Sequence, residues 1–276
     1  MRVYINSEFA PLKAVLLGFI DNFKINEPVN SVQRYYYKND PPRSDVMLEQ
    51  YERFAEIFEN FGVQVYRYER KPVNMGRPFC RDAFTVIHDT LFICSMKNRP
   101  TPDVTALPAL IENPVIQLDK GITEGGDILI DRDVMYVGMG ERTEIKGLQR
   151  LREKLDNRVE IQPLQLKPDF LHLDVVFNLL GKKTALIYPP AFEEESLSIL
   201  KKRYNLFEIT ASEQFALGTN LVSLTPETVI SENRLIRIND FLRQEGFEVI
   251  TTDYSEVSKL GGSFRCSTCP LIREAL

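Results

Sequence analysis

A chain of 276 residues is long enough to bury a full core, in one large domain or two small ones. Its composition, 43% hydrophobic and 26% charged, is ordinary for a globular protein. The net charge of −5 at pH 7 argues against a general binder of phosphate backbones, so no nucleic-acid partner is expected.

Apolar runs in the sequence stop short of the roughly 20 residues that a membrane-spanning helix needs, so no membrane partner is expected. The N-terminal stretch has no basic segment followed by an uninterrupted apolar one, which argues against secretion. Four cysteines are few for this length and fit a reducing compartment better than a disulfide scaffold. We therefore predict a cytoplasmic protein, and the sequence is compatible with a homo-oligomer.

Taken in chain order, the sequence repeats an apolar strand, a turn and an amphipathic helix. The first copy is KAVLLGF (13–19) followed by a helix around 44–62, which Gly62 should end. Four more strands begin near Thr90, Asp133, Thr184 and Glu227, each followed by a helix, and every unit has a second strand: QVYRY, ILI, HLDVVFNLL, ALGTNLVSL and RCSTCPLI. Such repeats predict an α/β fold of about five units, with sheets around a centre, helices outside, and strand ends meeting at one mouth.

Two further predictions concern the organisation of the chain. No Gly/Ser linker or low-complexity stretch divides it, so residues 1–276 are expected to form a single domain. Residues 21–43 show little periodicity and are predicted to form a long loop that could act as a lid.

Five short segments place reactive or ionisable side chains where strands meet turns. They are FCRDAF (79–84), ITEGGDILI (122–130), GMGERT (138–143), LHLDVVF (171–177) and GGSFRCSTCPL (261–271). His172 and Asp174 are two residues apart on a predicted strand and would share one face of it, either for chemistry or as a structural pair. Glu124 precedes two glycines that permit a close backbone approach, although a plain turn before a strand is the alternative.

The remaining candidates also have ordinary structural alternatives. Arg142 could hold a substrate carboxylate or be a solvated residue in the first turn of a helix, and Arg81-Asp82 could be a buried ion pair. Cys266 could be a small core residue, but the neighbouring Arg265 is expected to favour the reactive thiolate. Cys269 is expected to be a buried structural thiol, because the chain lacks a second ligand pair at zinc-finger spacing.

The set of residues matches one kind of chemistry. A guanidinium is planar and cationic, and binding it in a pocket requires carboxylates placed for two-pronged hydrogen bonds. Attack on its central carbon requires a strong nucleophile such as a thiolate, and a histidine to protonate the departing amine and then activate water. One thiol, one histidine and three acids meet these needs without a metal or another cofactor.

These five segments, in this order, resemble the guanidino-group modifying superfamily of arginine deiminases, dimethylarginine dimethylaminohydrolases, agmatine deiminases and amidinotransferases. HLDVVF and GGSFRCSTCPL are the most specific pieces, and the match runs from about residue 79 to the end. The resemblance implies a five-bladed α/β propeller. It also implies catalytic roles for Cys266 (nucleophile), His172 (general acid and base) and Glu124 (its carboxylate partner), and substrate binding by Asp82, Asp174, Arg142 and Arg81.

Within the superfamily, the sequence combines features of several members. It lacks the extra helical module that arginine deiminases carry before the RD segment, and Asp174 supplies an aspartate that dimethylarginine hydrolases usually lack. The expected activity is a cysteine hydrolase that passes through a covalent amidino-thioether on Cys266, with a small guanidino substrate as partner. An amidinotransferase is the alternative within the superfamily, and a non-catalytic amino-acid sensor is the alternative outside it.

Overall fold

The computed structural model describes residues 1–18, 20, 28, 30–67, 78–97 and 110–276. Within these ranges, the strands form five three-stranded sheets, in agreement with the predicted five-unit α/β propeller. In every sheet, a central strand pairs antiparallel with one neighbour and parallel with the other. We call each sheet, together with its helix, a blade.

The blades are numbered 1 to 5, and the strands of each are given as antiparallel, central and parallel strand. Blade 1 consists of β15 (Thr268–Arg273), β1 (Leu12–Leu17) and β2 (Gln64–Arg67), so the two ends of the chain share one sheet. Blade 2 consists of β3 (Phe84–Ile87), β4 (Thr90–Ile93) and β5 (Val115–Gln117). Blade 3 consists of β6 (Ile128–Asp131), β7 (Val134–Met139) and β8 (Glu160–Gln165). Blade 4 consists of β9 (Phe177–Leu179), β10 (Thr184–Ile187) and β11 (Asn205–Glu208). Blade 5 consists of β12 (Val222–Ser223), β13 (Thr228–Glu232) and β14 (Glu248–Thr252).

Helices join the central strand of a blade to its parallel strand, because a parallel pair needs a crossover connection. Two helices, α1 (Ser31–Asn39) and α2 (Ser44–Asn60), lie between β1 and β2. The crossovers of blades 3, 4 and 5 are α3 (Ile145–Leu155), α4 (Glu194–Arg203) and α6 (Ile236–Gln244), while α5 (Ala211–Phe215) and α7 (Ser255–Ser258) are short connecting helices. Residues 104–113, predicted to be the helix of blade 2, lie mostly outside the described residues.

The core consists of apolar clusters between neighbouring sheets. Phe84 of β3, Ile128 of β6 and Val137 of β7 belong to one cluster, which joins blades 2 and 3. Tyr136 and Phe177 belong to another, which joins blades 3 and 4. This packing holds the blades in a fixed relation and thereby fixes the turns that precede their strands.

The unit predicted from the sequence was incomplete in four of the five blades, because the parallel strand was not recognised there, and the antiparallel strand β3 of blade 2 was not predicted either. These parallel strands are partly exposed: β11, for example, has no fully buried residue among its four. Their alternation of apolar and polar residues is therefore too weak to be recognised from the sequence alone. The β2 strand of blade 1, predicted as QVYRY, is confirmed.

The prediction of one long loop over 21–43 was wrong for residues 31–39, which form α1. Asn30 caps this helix, since its Oδ1 accepts a hydrogen bond from the backbone N–H of Gln33 at 2.8 Å. The side chain of Gln33 in turn donates to the carbonyl of Leu260 at 2.5 Å. Contacts to such a distant part of the chain are not visible in a local sequence pattern. Residues 21–27 and 29 lie outside the described residues.

In the described part of the chain, no helix combines the length and the apolar character needed to cross a membrane.

Candidate active site

A turn precedes the antiparallel strand of every blade, and most of the polar candidates lie in these five turns or directly before them, whereas Arg142 lies in the turn after β7. Three are single 3-10 turns, Cys80–Asp82, Gly125–Asp127 and Leu173–Val175, before β3, β6 and β9. The other two, 216–220 and 264–267, precede β12 and β15. We refer to the five together as the ring of turns.

Neighbouring turns contact one another around the ring. Gly125 lies against the carbonyl of Arg81, so closely that an added Cβ would come within 2.2 Å of its oxygen. The other four contacts are hydrogen bonds: Leu173 N–H to Asp127 Oδ1 (2.9 Å), Thr219 Oγ1 to Asp174 O (3.0 Å), Arg265 N–H to Asn220 O (3.1 Å) and Arg81 N–H to Cys266 O (3.1 Å). The side chains of all five blades are thereby brought to one place.

All seven residues predicted for the site are buried, which confirms that none is a freely solvated surface residue. Their exposed fractions range from 0% for Glu124 and Asp174 to 7% for Arg142. The placement of three of them, His172, Asp174 and Arg142, differs from the prediction. His172 and Asp174 were expected on one strand, but β9 begins only at Phe177, and Asp174 lies in the 3-10 turn that His172 precedes. The backbone N–H of Leu173 is used by Asp127 rather than by a sheet, which explains why the strand starts late.

His172 lies between two carboxylates. Its Nε2 is 2.8 Å from Oε2 of Glu124, and its Nδ1 is 3.6 Å from Oδ1 of Asp82. Burial by itself lowers the pKa of His172, but the charge of Asp82 and the hydrogen bond to Glu124 outweigh it and raise the pKa to about 9. The imidazole is therefore a cation at neutral pH and can give a proton to a leaving group.

Glu124 holds His172 on one side and Arg142 on the other. Its Oε1 lies 3.3 Å from Nη1 of Arg142 and accepts the backbone N–H of Lys97 at 2.9 Å. Arg142 was predicted at the start of a helix, but α3 begins at Ile145, and Arg142 lies in the preceding turn. A solvated first-turn role for Arg142 is therefore wrong.

The paired glycines after Glu124 have the role that the sequence predicted. A Cβ on Gly126 would lie 2.9 Å from Cγ and Nδ1 of His172 and 3.2 Å from Oδ1 of Asp82. The imidazole therefore packs directly on the glycine backbone, and any larger residue would displace it.

Cys266 and Asp174 form the second half of the site. The Sγ of Cys266 is 3.7 Å from Oδ2 and 3.9 Å from Oδ1 of Asp174, and it accepts a hydrogen bond from Nδ2 of Asn220 at 3.2 Å. Oδ2 of Asp174 also accepts from Nη1 of Arg265 at 3.0 Å. Burial raises the pKa of Asp174, although the Arg265 charge opposes this effect.

Arg265 interacts favourably with the charge of an ionised Cys266, as expected, but it does not control the ionisation of the thiol. Burial raises the pKa of the Cys266 thiol well above its usual range, and the charges of Asp174 and Asp82 raise it further. The guanidinium of Arg265 is instead paired with Asp174 and, at 3.1 Å, with Oε2 of Glu8. Sequence adjacency did not reveal this, because consecutive residues in a turn point in different directions.

Arg81 lies in a buried ionic group around Glu8. Burial and the neighbouring Arg265 charge lower the pKa of Arg81, whereas Glu8 raises it. The charges of Arg265, Arg81 and Arg273 overcome burial and lower the pKa of Glu8. This group lies beside Asp174 and supports the ring of turns from within the fold.

Sequence reasoning missed three polar residues of the site: Glu8, Asp127 and Asn220. Asp127 accepts hydrogen bonds from the hydroxyl of Thr143 at 2.7 Å and from Leu173 N–H. Burial raises its pKa to about 7. Asp127 belongs to the EGGD segment, but only Glu124 was singled out there. Asn220 occupies the turn before β12, and the repeat of one polar turn per unit was the signal that could have indicated it.

One part of the site has donor groups that a metal could use. Single ligand atoms of Asp82, Glu124 and His172 lie within 4.8 Å of one another. Two carboxylates and an imidazole are suitable ligands for a divalent transition metal. A protonated imidazole cannot ligate, so the raised pKa of His172 opposes metal binding at neutral pH.

A groove of about 480 Å³ opens elsewhere, beside β10 and α4. Tyr188, Phe192 and Leu197 are among the residues that line it. None of its lining residues belongs to the ring of turns, so this groove is separate from the candidate active site.

Comparison with known proteins gives matches over nearly the whole chain. A family model described as "N,N dimethylarginine dimethylhydrolase, eukaryotic" matches residues 20–273. The uncharacterized protein YkgA of Bacillus subtilis (strain 168) is 36% identical over 97% of this chain and 94% of its own length. An arginine deiminase of Listeria monocytogenes is 30% identical over 55% of this chain, and the match spans 47% of that enzyme, about half its length.

Solved structures show the same fold at low sequence identity. SxtG, an amidinotransferase from Microseira wollei, superimposes with a TM-score of 0.84 at 18% identity, over 99% of this chain and 98% of that one. The N-terminal domain of ArgZ, an arginine dihydrolase from cyanobacteria, gives a TM-score of 0.79 at 19% identity, over 92% and 96% of the two chains. These likenesses confirm the predicted α/β propeller.

Proposed function

The chain belongs to the N,N dimethylarginine dimethylhydrolase family, within the superfamily that modifies guanidino groups, and from that premise we propose that it is a cysteine hydrolase of arginine or an arginine derivative. The observation that carries the proposal is the sulfur of Cys266 at 3.7 Å from the carboxylate of Asp174, within the ring of turns that also holds the His172–Glu124 pair. A nucleophile, a proton donor and anionic binding groups are thus supplied together.

The acids suit a guanidinium cation. Asp82 and Asp174 are both buried, and their charges would pair with the N–H groups on opposite sides of the planar substrate. The cation would also offset the two negative charges that disfavour ionisation of Cys266. Substrate binding therefore lowers the pKa of the thiol, and the proton is released as the thiolate forms.

The reaction then proceeds in two halves. The thiolate attacks the central carbon of the guanidinium, and His172 gives its proton to the departing nitrogen, which leaves as ammonia or an amine. An amidino-thioether remains on Cys266. His172, now neutral, takes a proton from water, the hydroxide adds to the same carbon, and collapse restores the thiolate and releases a ureido product.

Arg142 is the group proposed to receive the carboxylate of the substrate. In the structure, its Nη1 lies 3.3 Å from Oε1 of Glu124, so it is a buried cation at the edge of the catalytic group. A carboxylate that binds Arg142 would weaken this contact and leave more of the charge of Glu124 for His172. Recognition of the substrate by Arg142 and protonation of His172, the general acid, are then linked through the carboxylate of Glu124.

The acids favour an unsubstituted guanidinium. Asp174 can accept an N–H from the substrate only if the nitrogen that faces it carries hydrogen, and a dimethylated nitrogen carries none. We therefore place L-arginine ahead of dimethylarginine as the substrate, although the family model is described by the latter. Transfer of the amidino group to an amine shares the first half of the mechanism and differs only in what attacks the thioether.

The test is a steady-state assay with L-arginine, N,N-dimethylarginine and agmatine, measuring ammonia, dimethylamine and the ureido product, with and without glycine. We expect ammonia and citrulline from arginine without glycine, and no turnover by the Cys266→Ser variant. Cys269→Ala is the matched control, because Cys269 is a buried thiol in the same segment but lies in β15. Full activity of Cys266→Ser would refute the proposal, and product formed only with glycine would make the protein a transferase.

A further inference from the structure

Blade 5 adds to the site a side chain that the proposed mechanism does not use. Asn220 lies in the turn before β12, a position equivalent to the turns that carry Asp82, Asp174 and Cys266 in other blades. It is fully buried, with an exposed fraction of 0%. An amide in such a place requires hydrogen-bond partners for all of its polar atoms.

The contacts of Asn220 converge on the nucleophile. Its Nδ2 donates to Sγ of Cys266 at 3.2 Å and to the carbonyl of Asp174 at 3.2 Å. Its Oδ1 accepts the backbone N–H of Cys266 at 3.0 Å and of Ser263 at 3.2 Å. Both hydrogens of the amide and both acceptor sites of its oxygen are therefore used.

These partners fix which way the amide faces. Two backbone N–H groups approach one of its atoms, and only the oxygen can accept them. The nitrogen therefore has to face the carbonyl of Asp174 and the sulfur. The donor is held in place before the reaction starts, which is the arrangement that stabilises a developing charge most effectively.

We infer that Asn220 is a catalytic residue that donates a hydrogen bond to the sulfur of Cys266 and stabilises its thiolate in attack and in release. The inference rests on the proposed function, since it assigns a role within that reaction. The burial of the thiol and the nearby carboxylates oppose ionisation, whereas the contact with Asn220 lowers the pKa of Cys266. A neutral donor is suited to this place, because a cation here would compete with the substrate for Asp174.

Two variants separate the donor from the acceptor function of the amide. Asn220→Asp has the same shape and keeps an oxygen for the two N–H groups, but it loses the donor to the sulfur and adds a negative charge beside it, which raises the thiol pKa further. Asn220→Ala loses both. Thr219→Val is the matched control, because Thr219 also donates to the carbonyl of Asp174, at 3.0 Å, and has only that bond in common with Asn220.

The measurement is the rate of alkylation of Cys266 by iodoacetamide as a function of pH, followed by intact-protein mass spectrometry. Cys266→Ser provides the background from the other cysteines. A hydrogen bond to an ionised group corresponds to a shift of about one to two pH units, which slows alkylation about ten- to hundredfold at any pH below the thiol pKa. Turnover of arginine should fall by a similar factor in both Asn220 variants.

We expect Asn220→Asp and Asn220→Ala to shift the alkylation profile upward, and Thr219→Val to follow the wild type. An Asn220→Asp profile identical to that of the wild type would overturn the inference, because the amide would then only hold the loop. If Asn220→Ala does not fold, Asn220→Asp can still overturn the inference, because its added charge can only enlarge an upward shift and an unshifted profile would exclude the donor role. A shifted profile in a protein that turns over no guanidino compound would refute the proposed function and leave the sulfur contact established.

Discussion

The protonation state of His172 can be measured directly, because the chain contains only two histidines. We predict that His172 in the wild type titrates with a pKa of about 9, as a consequence of Asp82 and Glu124. The second histidine, His88, serves as an internal reference, since burial and the nearby Arg158 lower its pKa. Two imidazole resonances followed by NMR from acid to alkaline pH should therefore titrate far apart.

The perturbation is Glu124→Gln, which keeps the size of the side chain and removes its charge. The 2.8 Å contact between His172 and Glu124 is a charge-assisted hydrogen bond in a buried site. Such a bond contributes about 1.5–3 kcal/mol, which corresponds to about one to two pKa units. The pKa of His172 should fall by that amount in the variant, while His88 titrates as before.

The alkaline limb of the activity profile should shift in the same direction as the pKa of His172. Turnover that needs the imidazolium is lost above the pKa of His172, so the alkaline limb of the pH profile should move to lower pH in Glu124→Gln. A wild-type His172 that titrates at or below 6.5, or one whose pKa is unchanged in the variant, would refute the electrostatic account.

Three further predictions follow from the same contacts. The folded-state pKa of His172 is raised, so the protonated imidazole contributes its full stabilisation below pH 6.5 and this contribution is lost as the pH rises to about 9. The free energy of unfolding, measured with urea, should therefore decline over this pH window, and the decline should be smaller in Glu124→Gln. Asp127→Ala removes the carboxylate that joins Thr143 to the turn beside His172, so kcat should fall with little change in KM, and an unchanged kcat would show that the link is dispensable. Arg142→Ala should lower kcat/KM for arginine about tenfold or more, and less for agmatine, which lacks the carboxylate; equal losses would contradict the role of Arg142 in substrate recognition.

The sequence revealed the residue types because four of the five reactive segments lead into a strand, and the fifth, GMGERT, leaves the central strand β7. The glycine pair beside His172 was also predictable, since its meaning is local: Gly126 leaves room for the ring. The central strands and the longer helices α2, α3, α4 and α6 followed from periodicity. Their starting points at Thr90 and Thr184 agree with the prediction to the residue.

Contacts between distant turns could not be derived in this way. Asn220 contacts the sulfur of Cys266, which lies 46 residues later in the sequence. Nothing in the local segment GTN (218–220) distinguishes it from an ordinary asparagine in a turn. The ion pairs of Arg265 could not be inferred for a related reason, because its partners Asp174 and Glu8 come from distant segments of the chain. Which charge faces the sulfur is decided by the packing of the ring of turns, not by neighbours in the sequence.

The central claim is covalent chemistry at Cys266, and the most direct measurement is intact-protein mass spectrometry after rapid acid quench of the enzyme with L-arginine. The account predicts a transient adduct of amidino mass, located on the peptide that contains Cys266 and missing in Cys266→Ser. Formation of citrulline and ammonia without an adduct at any quench time, or an adduct that persists in Cys266→Ser, would contradict it.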